Sequence, residues 1–237
     1  MIFRLPLLLG ALLLVGFTGL QTQPKPFDPV QASNEGRALV AEILSQQPAQ
    51  NFTNTGVLKI GRGTETQVRF ETLVNATNWH SNYEATWSNR VEKLSVVHAA
   101  NQANAYFADT NQLVAGELSA PFAGSDFWRC DLGLEFFHWP DQKILKTELR
   151  KTRFCKVLES INPEPTTNGY SRVVLWIDTE SLGIIHADAY DAAGKLLKEF
   201  DPKTVKEVNG QPQLVKMEMY NRQTHSRSQI EFNFDSK

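Results

Sequence analysis

The stretch that decides the fold is YSRVVLWID, residues 170–178, in which bulky apolar side chains occupy consecutive positions. Successive side chains of a β-strand point to opposite faces, so this pattern predicts a strand that is covered on both faces. The stretch VKMEMY, residues 215–220, alternates apolar and polar residues, which indicates a strand covered on one face. A strongly curved sheet with a helix packed into its concave side explains both patterns, and so does a sandwich of two sheets.

Other short β-biased runs lie on both sides of this stretch. They are found at residues 57–60, 67–74, 79–87, 93–98, 105–108, 143–150, 154–160, 183–190, 196–208, 213–221 and 228–234. Turn residues separate them, including Asp191-Ala192-Ala193-Gly194, where Gly194 suits a positive φ. This spacing predicts an antiparallel meander of roughly ten strands. Because the composition shows no break, we expect one domain over residues 34–237.

Two helical segments are expected beside the strands. Asn34 can cap a helix near residues 34–47, whose apolar side chains fall largely on one side. Further along, an aromatic-rich loop at residues 120–128 leads to Asp131–Phe137, which predict a short helix that Trp139-Pro140 would end.

The first residues have the pattern of an export signal. Arg4 precedes an apolar run from Leu7 to Phe17, and small or polar residues follow it. The pattern predicts a secretory signal peptide over residues 1–20 and an extended, Pro- and Gln-rich tether over residues 21–33. A membrane anchor is the alternative, but the apolar run is shorter than the roughly 20 residues that span a bilayer. We therefore expect an exported protein.

Charge and motifs narrow the function classes. The chain has 24 Lys and Arg against 26 Asp and Glu, so it lacks the basic footprint of a nucleic-acid-binding protein. It carries no G-x-S-x-G elbow, no P-loop and no H-E-x-x-H motif, and its histidines are widely separated. We expect no catalytic residue, no metal and no cofactor, and hence not an enzyme. An exported hydrolase that uses Ser125-Asp126 is the alternative.

The cysteine count predicts a cross-link. Cys130 and Cys155 are the only cysteines, and their spacing suits neither a redox motif nor a zinc motif. In an oxidising compartment, such a pair is most simply a disulfide, which would tie the aromatic-rich loop to the strand at 154–160. Two buried free thiols are the alternative.

Several segments, taken in order, resemble one known family. They are GSDF at 124–127, DLGLEFFHWP at 131–140, CKVLES at 155–160, LWID at 175–178, YDAAGKLLKE at 190–199, MEMYN at 217–221 and THSRS at 224–228. Together they are similar to the outer membrane lipoprotein-sorting proteins, relatives of the periplasmic carrier LolA. The resemblance implies a mainly β, LolA/LolB-like fold. In that fold, one antiparallel sheet curves into an incomplete, half-open β-barrel around a hydrophobic cavity, with a helical lid.

The same resemblance implies a function in lipid transport. We expect a monomeric periplasmic carrier of a double-membrane bacterium that binds the acyl chains of lipoproteins, or another lipid, in its cavity. It would shuttle them toward the outer membrane, from an inner-membrane transporter to an outer-membrane acceptor. The alternative is an envelope protein-interaction or sensor module on the same fold, acting as the partner of a membrane transporter.

An acyl chain gains about 0.8 kcal/mol per buried CH₂, so its carriage through water requires a dry apolar slot. Aromatic side chains near the break in the meander are the first candidates to line that slot: Phe122, Phe127, Trp128, Phe136, Phe137 and Trp139. The strand residues Trp79, Trp87 and Trp176 are second choices. For each, ordinary core packing is the alternative, because large aromatics dominate protein cores.

Overall fold

The computed structural model describes residues 28–87, 90–99, 102–208 and 211–233, without the side chains of residues 87, 207–208 and 211–213. The predicted signal peptide at 1–20 and the first part of the predicted tether lie outside these residues. Among the described residues, no helix has both the length and the apolar character needed to span a membrane.

Among the described residues, thirteen strands make one antiparallel sheet, which is not closed into a barrel. They are β1 Phe52–Ile60, β2 Thr64–Val74, β3 Asn78–Trp87, β4 Arg90–Ala99, β5 Ala105–Ala108, β6 Asn111–Gln112, β7 Asp141–Arg150, β8 Arg153–Ile161, β9 Arg172–Asp178, β10 Ile184–Tyr190, β11 Leu196–Val208, β12 Gln211–Asn221 and β13 Ser226–Phe232. The order in space is β6-β5-β4-β3-β2-β1-β13-β12-β11-β10-β9-β8-β7. Two meanders are thus joined at the middle by the pairing of β1 with β13. The predicted mainly β class, with a single unclosed antiparallel sheet, is confirmed.

The two faces of the sheet are covered differently. Helix α1, Pro29–Ser45, and residues 115–139, which we name the cover segment, pack on the inner face. In β9, Val173, Leu175 and Ile177 join the inner-face cluster, whereas Val174 and Trp176 pack on the outer face. This arrangement explains the consecutive apolar residues of β9. Of the two architectures that the sequence patterns allowed, the structure is the single sheet covered by a helix and not the sandwich of two sheets.

Helix α1 begins earlier than the Asn34 cap predicts. The Asp28 carboxylate caps it, accepting from the backbone N–H of Val30 at 2.8 Å, and Pro29 occupies the first turn. A proline there is compatible with a helix because its missing N–H would have no partner in the helix. The end of the predicted tether, residues 29–33, is therefore helical.

The cover segment contains short helical turns instead of the single helix predicted over 131–137. Helix α2 spans Arg129–Leu132, and a 3₁₀ turn follows at Glu135–His138. Leu134 separates them because its left-handed backbone, with φ of 52°, cannot continue a helix. Other 3₁₀ turns lie at Ala115–Glu117 and Phe122–Gly124.

The predicted disulfide is wrong. Cys130 of α2 is buried in an inner-face cluster, and Cys155 of β8 is buried in the outer-face cluster with Val157 and Trp176. The sheet therefore lies between the two thiols, and both are free. The error comes from side-chain alternation, which turns Cys155 away from the cover segment.

Candidate binding cavity

A cavity of about 510 Å³ lies between the inner face of β9–β12, the cover segment and the end of α1. Its size falls within the roughly 300–1,000 Å³ typical of ligand sites. The wall is mainly apolar: Ile43, Tyr83, Phe127, Leu132, Leu134, Phe136, Phe137, Tyr170, Val173, Leu182, Ile184, Ala187, Ala189, Phe200, Pro202, Val205, Leu214, Met217 and Met219.

Strand β11 shows how the sequence builds this wall. Lys198, Phe200 and Pro202 face the cavity at alternate positions, as expected for one face of a strand. The pairing of β11 with β12 then shifts register between Pro202 and Val205. An extra residue at such a bulge changes which face the next side chain occupies, so Val205 also reaches the cavity.

One end of the cavity is open. Its mouth is bordered by the turn Ser181–Ile184 and by the end of α1 at Gln46, both of which include exposed residues. Val205 is 58% exposed and Leu134 is 37% exposed, although both are apolar. The exposed residues among those described that line the cavity carry no charge.

The opposite end of the cavity contains a buried lysine. Lys198 has no exposed surface, and its ammonium group donates to the backbone oxygen of Asp126 at 2.6 Å. It also lies 3.8 Å from a carboxylate oxygen of Asp131 and 3.4 Å from the ring centre of Trp128. Burial lowers the pKa of Lys198 to about 8, against the attraction of Asp131.

The Asp131 carboxylate has its hydrogen-bond partners in the same cluster. Its carboxylate accepts from the Tyr170 hydroxyl at 3.0 Å and from the Trp128 backbone N–H at 2.7 Å. Burial raises the pKa of Asp131, and the charge of Lys198 opposes that rise. Because the lysine and the carboxylate already have protein partners, they fasten the cover segment to β11 and present no free charge to a guest.

Ser125 and Asp126 also have structural partners. The Ser125 hydroxyl donates to the backbone oxygen of Phe122 at 2.7 Å, within its own turn. The Asp126 carboxylate accepts from the hydroxyls of Ser226 and Ser228, which ties the cover segment to β13. The hydrolase alternative thus has no support from the contacts of this pair.

The predicted aromatic residues divide into groups. Phe127, Phe136 and Phe137 line the cavity, whereas Trp79 and Trp139 border a second hollow of about 580 Å³ between α1 and the ends of β3 and β4. Whether any of these residues binds a ligand stays a prediction.

Four candidates lie elsewhere. Phe122 is buried among the strands of the first meander, and Trp128 stacks on Tyr170 at 4.5 Å between ring centres. Trp176 lies on the outer face, where Arg150 covers its ring at 4.1 Å, because side-chain alternation in β9 turns it away from the cavity. Trp87 ends β3, and its side chain lies outside the described residues.

Several lining residues were missed because only aromatic side chains were considered. Met217 and Met219 alternate along β12, and their period-2 pattern was a usable signal. Lys198 shares a face of β11 with Phe200, so a lysine on an apolar face was also visible in the sequence.

A polar cluster on the outer face contains the one group of potential metal ligands found among the described residues. His186, Asp188 and Glu199 bring their ligand atoms within 4.8 Å of one another. The two ring nitrogens of His186 already contact Asp188 at 2.8 Å and Asp201 at 3.1 Å, and Glu199 pairs with Arg222. These contacts identify an ion-pair network, and we assign no metal to it.

Known structures share this architecture. A domain from Vibrio parahaemolyticus, described as an outer membrane lipoprotein-sorting protein domain, matches with a TM-score of 0.72 and 18% identity over 85% of this chain and 92% of its own. A DUF1329 family protein from Desulfovibrio piger matches with a TM-score of 0.70 and 18% identity over 87% and 92%. A LolA superfamily protein from Nitrosomonas europaea gives 0.58 and 16% over 86% and 92%. At these identities, the likeness shows the fold alone.

Sequence comparison gives a family but no curated relative. No curated protein matches the chain. A family model described as "-like: Uncharacterized protein" matches residues 105–234, which is more than half of the chain. The chain therefore belongs to the family of that model, and its fold is LolA-like.

Proposed function

We propose that the protein is a periplasmic carrier that binds an acyl chain of a lipid or lipoprotein in the cavity and conveys it toward the outer membrane. The observation that carries the proposal is the apolar cavity of about 510 Å³ with one open end. The likeness in fold to a domain described as lipoprotein-sorting supports this choice of guest.

The chemistry of the wall suits such a guest. Each methylene moved from water to an apolar wall contributes about 0.8 kcal/mol, without any directional contact. The buried polar groups at the closed end, Lys198 and Asp131, are paired with each other and with the cover segment. Affinity then depends on the length of chain buried, and release requires only a partner with a comparable apolar surface.

The direct test combines native mass spectrometry of the protein purified from cell envelopes with titration of a fluorescent fatty acid. We expect a bound acyl species in the first measurement and saturable binding of the probe in the second. Ala187→Phe, which would fill the cavity from β10, should weaken probe binding at least tenfold. Ala192→Phe, in the exposed turn after β10, is the matched control and should bind as the parent does. Equal affinity of the two variants would contradict the proposal.

One observation favours a protein partner during transfer. Leu149 and Phe154 are direct cross-strand neighbours at the tip of the β7–β8 hairpin, and they are 62% and 66% exposed. The backbone oxygen of Phe154 accepts from the N–H of Thr179 at 2.9 Å, so this apolar pair adjoins the turn at the cavity mouth. Contiguous exposed apolar surface commonly marks an interaction site, whereas single exposed apolar residues do not.

This second proposal is tested by photo-crosslinking in cell envelopes. A crosslinker at Phe154 should give a defined protein adduct, whereas one at Val114, which is 67% exposed elsewhere, should not. If both positions gave the same adducts, the hairpin would not be a specific binding site for a protein partner.

A further inference from the structure

Two hollows of similar size share one lining residue. The main cavity and the second hollow occupy about 510 Å³ and 580 Å³. Of the described residues that line them, Phe137 alone borders both. The last turn of α1 also borders both spaces: Ile43 lines the main cavity, and Leu44 lines the second hollow.

The backbone around Phe137 is firmly held. Its N–H donates to the backbone oxygen of Leu134 at 3.0 Å, where the left-handed residue starts the 3₁₀ turn. The buried Gln142 amide donates to the backbone oxygens of Phe136 at 2.9 Å and Trp139 at 2.8 Å. Ser160 donates to the oxygen of Gln142 at 2.5 Å and so fixes that amide. The turn therefore stays in place if the ring of Phe137 is made smaller.

The second hollow could accept an apolar chain that passed this ring. Val40, Leu44, Trp79 and Trp139 contribute apolar surface to it. Polar and charged side chains line the hollow as well, among them Arg37, His98 and His138, and also Gln142, whose amide donors already serve the backbone. Phe137 is the one described residue common to the two linings, so we take its side chain as the boundary between the two hollows.

We propose that Phe137 is a specificity-determining residue, whose ring sets the length of acyl chain that the carrier accepts. This inference rests on the proposed function. Each added methylene raises affinity about fourfold while it is buried in an apolar wall. A chain that reaches Phe137 gains nothing from further methylenes, because they meet a packed ring and not an empty slot.

The experiment measures the affinity of a series of saturated fatty acids of increasing length for the full chain and its variants. For the parent protein, affinity should rise with length and then level off. Phe137→Ala should continue to gain affinity beyond the length at which the parent levels off. Phe137→Trp should level off earlier. Phe137→Leu removes less of the side chain and should shift the plateau in the same direction as Phe137→Ala. It replaces the alanine variant in the test if that variant does not fold.

Phe122→Leu is the matched control, since Phe122 is buried in the same cover segment but borders neither hollow. Its plateau should stay at the parent length. An unchanged plateau in the folded Phe137 variants would overturn the inference and leave the carrier proposal standing. A parent protein that binds no chain of any length would instead refute the carrier proposal.

Discussion

Lys198 shows how a single charged residue can stabilise an otherwise apolar site. Its ammonium group is held by the Asp126 carbonyl, the Asp131 carboxylate and the Trp128 ring, all in the cover segment. A buried charge is tolerated only when such partners replace water. The residue therefore fastens the cover to β11 and keeps the closed end of the cavity without free charge.

Removal of this charge should destabilise the protein strongly. Lys198→Met leaves Asp131 buried without its cation, a loss that typically costs about 3–5 kcal/mol. Urea denaturation measures the effect, and Lys195→Met, at an exposed position just before β11, should change stability by less than about 0.5 kcal/mol. Asp131→Asn added to Lys198→Met should recover part of the loss. Similar losses for the two lysine variants would contradict the assigned role.

His186 should make stability depend on pH. Burial opposes its charged form, but hydrogen bonds with Asp188 and Asp201 outweigh burial and raise the pKa of His186 above its usual 6.5. Because the folded-state pKa is the higher one, the protonated ring contributes its full stabilisation below pH 6.5. That contribution is lost as the pH rises through the folded-state pKa.

The measurement is urea denaturation of the parent and His186→Gln at a series of pH values. The free energy of unfolding of the parent should fall above pH 6.5, and the variant should lack this fall. Parallel pH profiles would show that another group is responsible.

At the scale of elements, the contact between α1 and β7 positions one wall of the cavity. The helix approaches so closely at Gly36 that a Cβ there would lie 2.6 Å from the backbone oxygen of Gln142. Backbone atoms cannot move aside as a flexible side chain can. The glycine therefore fixes where the end of α1, with Ile43, meets the cavity.

Gly36→Ala should consequently displace the helix. Alanine favours a helix by about 1 kcal/mol over glycine, but overpacking costs about 1–3 kcal/mol, so we expect a net destabilisation of about 1 kcal/mol. The affinity for an acyl probe should fall as well, because the cavity wall moves. Gly63→Ala, where an added Cβ meets nothing within 4 Å, is the control for thermal denaturation. A stabilised Gly36→Ala would show that helix propensity outweighs the contact.

The sequence predicts single strands and turns better than it predicts how they pack against one another. Periodicity identified the two-faced strand β9 and the turn at residues 191–194, where Gly194 has a φ of 75°. It could not tell which face of β9 is the inner one, since both faces are apolar, and Trp176 was therefore a candidate on the wrong face. The start of α1 was missed because Asp28-Pro29 read equally well as an extended tether.

At the scale of the whole molecule, the sheet depends on a pairing that local patterns do not reveal. β1 pairs with β13, strands from the two ends of the described chain, and Gly56 lies opposite Phe232. The cavity needs strands β9–β12 and the cover segment together, so its lining could not be assigned before the strand order was known. The sequence patterns left a curved sheet and a sandwich open, and the resemblance to the lipoprotein-sorting family implied a cavity, but neither identified the side chains around it.

Gly56→Ala tests whether the sheet behaves as one unit. A Cβ at Gly56 would clash with the backbone oxygen of Glu231, so the pairing of β1 with β13 should be strained by about 1–3 kcal/mol. Circular dichroism and tryptophan fluorescence should report one common, lowered melting temperature. Two separate transitions would show that the meanders unfold independently.

The position of β13 between the two meanders also has a consequence during biosynthesis. Among the described strands, β13 alone connects β1 to β12, so the continuous sheet cannot form before residues 226–232 have left the ribosome. A nascent chain shorter than this holds two unjoined half-sheets, each with an open edge where β13 will later insert. Completion of the sheet therefore depends on the last described strand and not on the first.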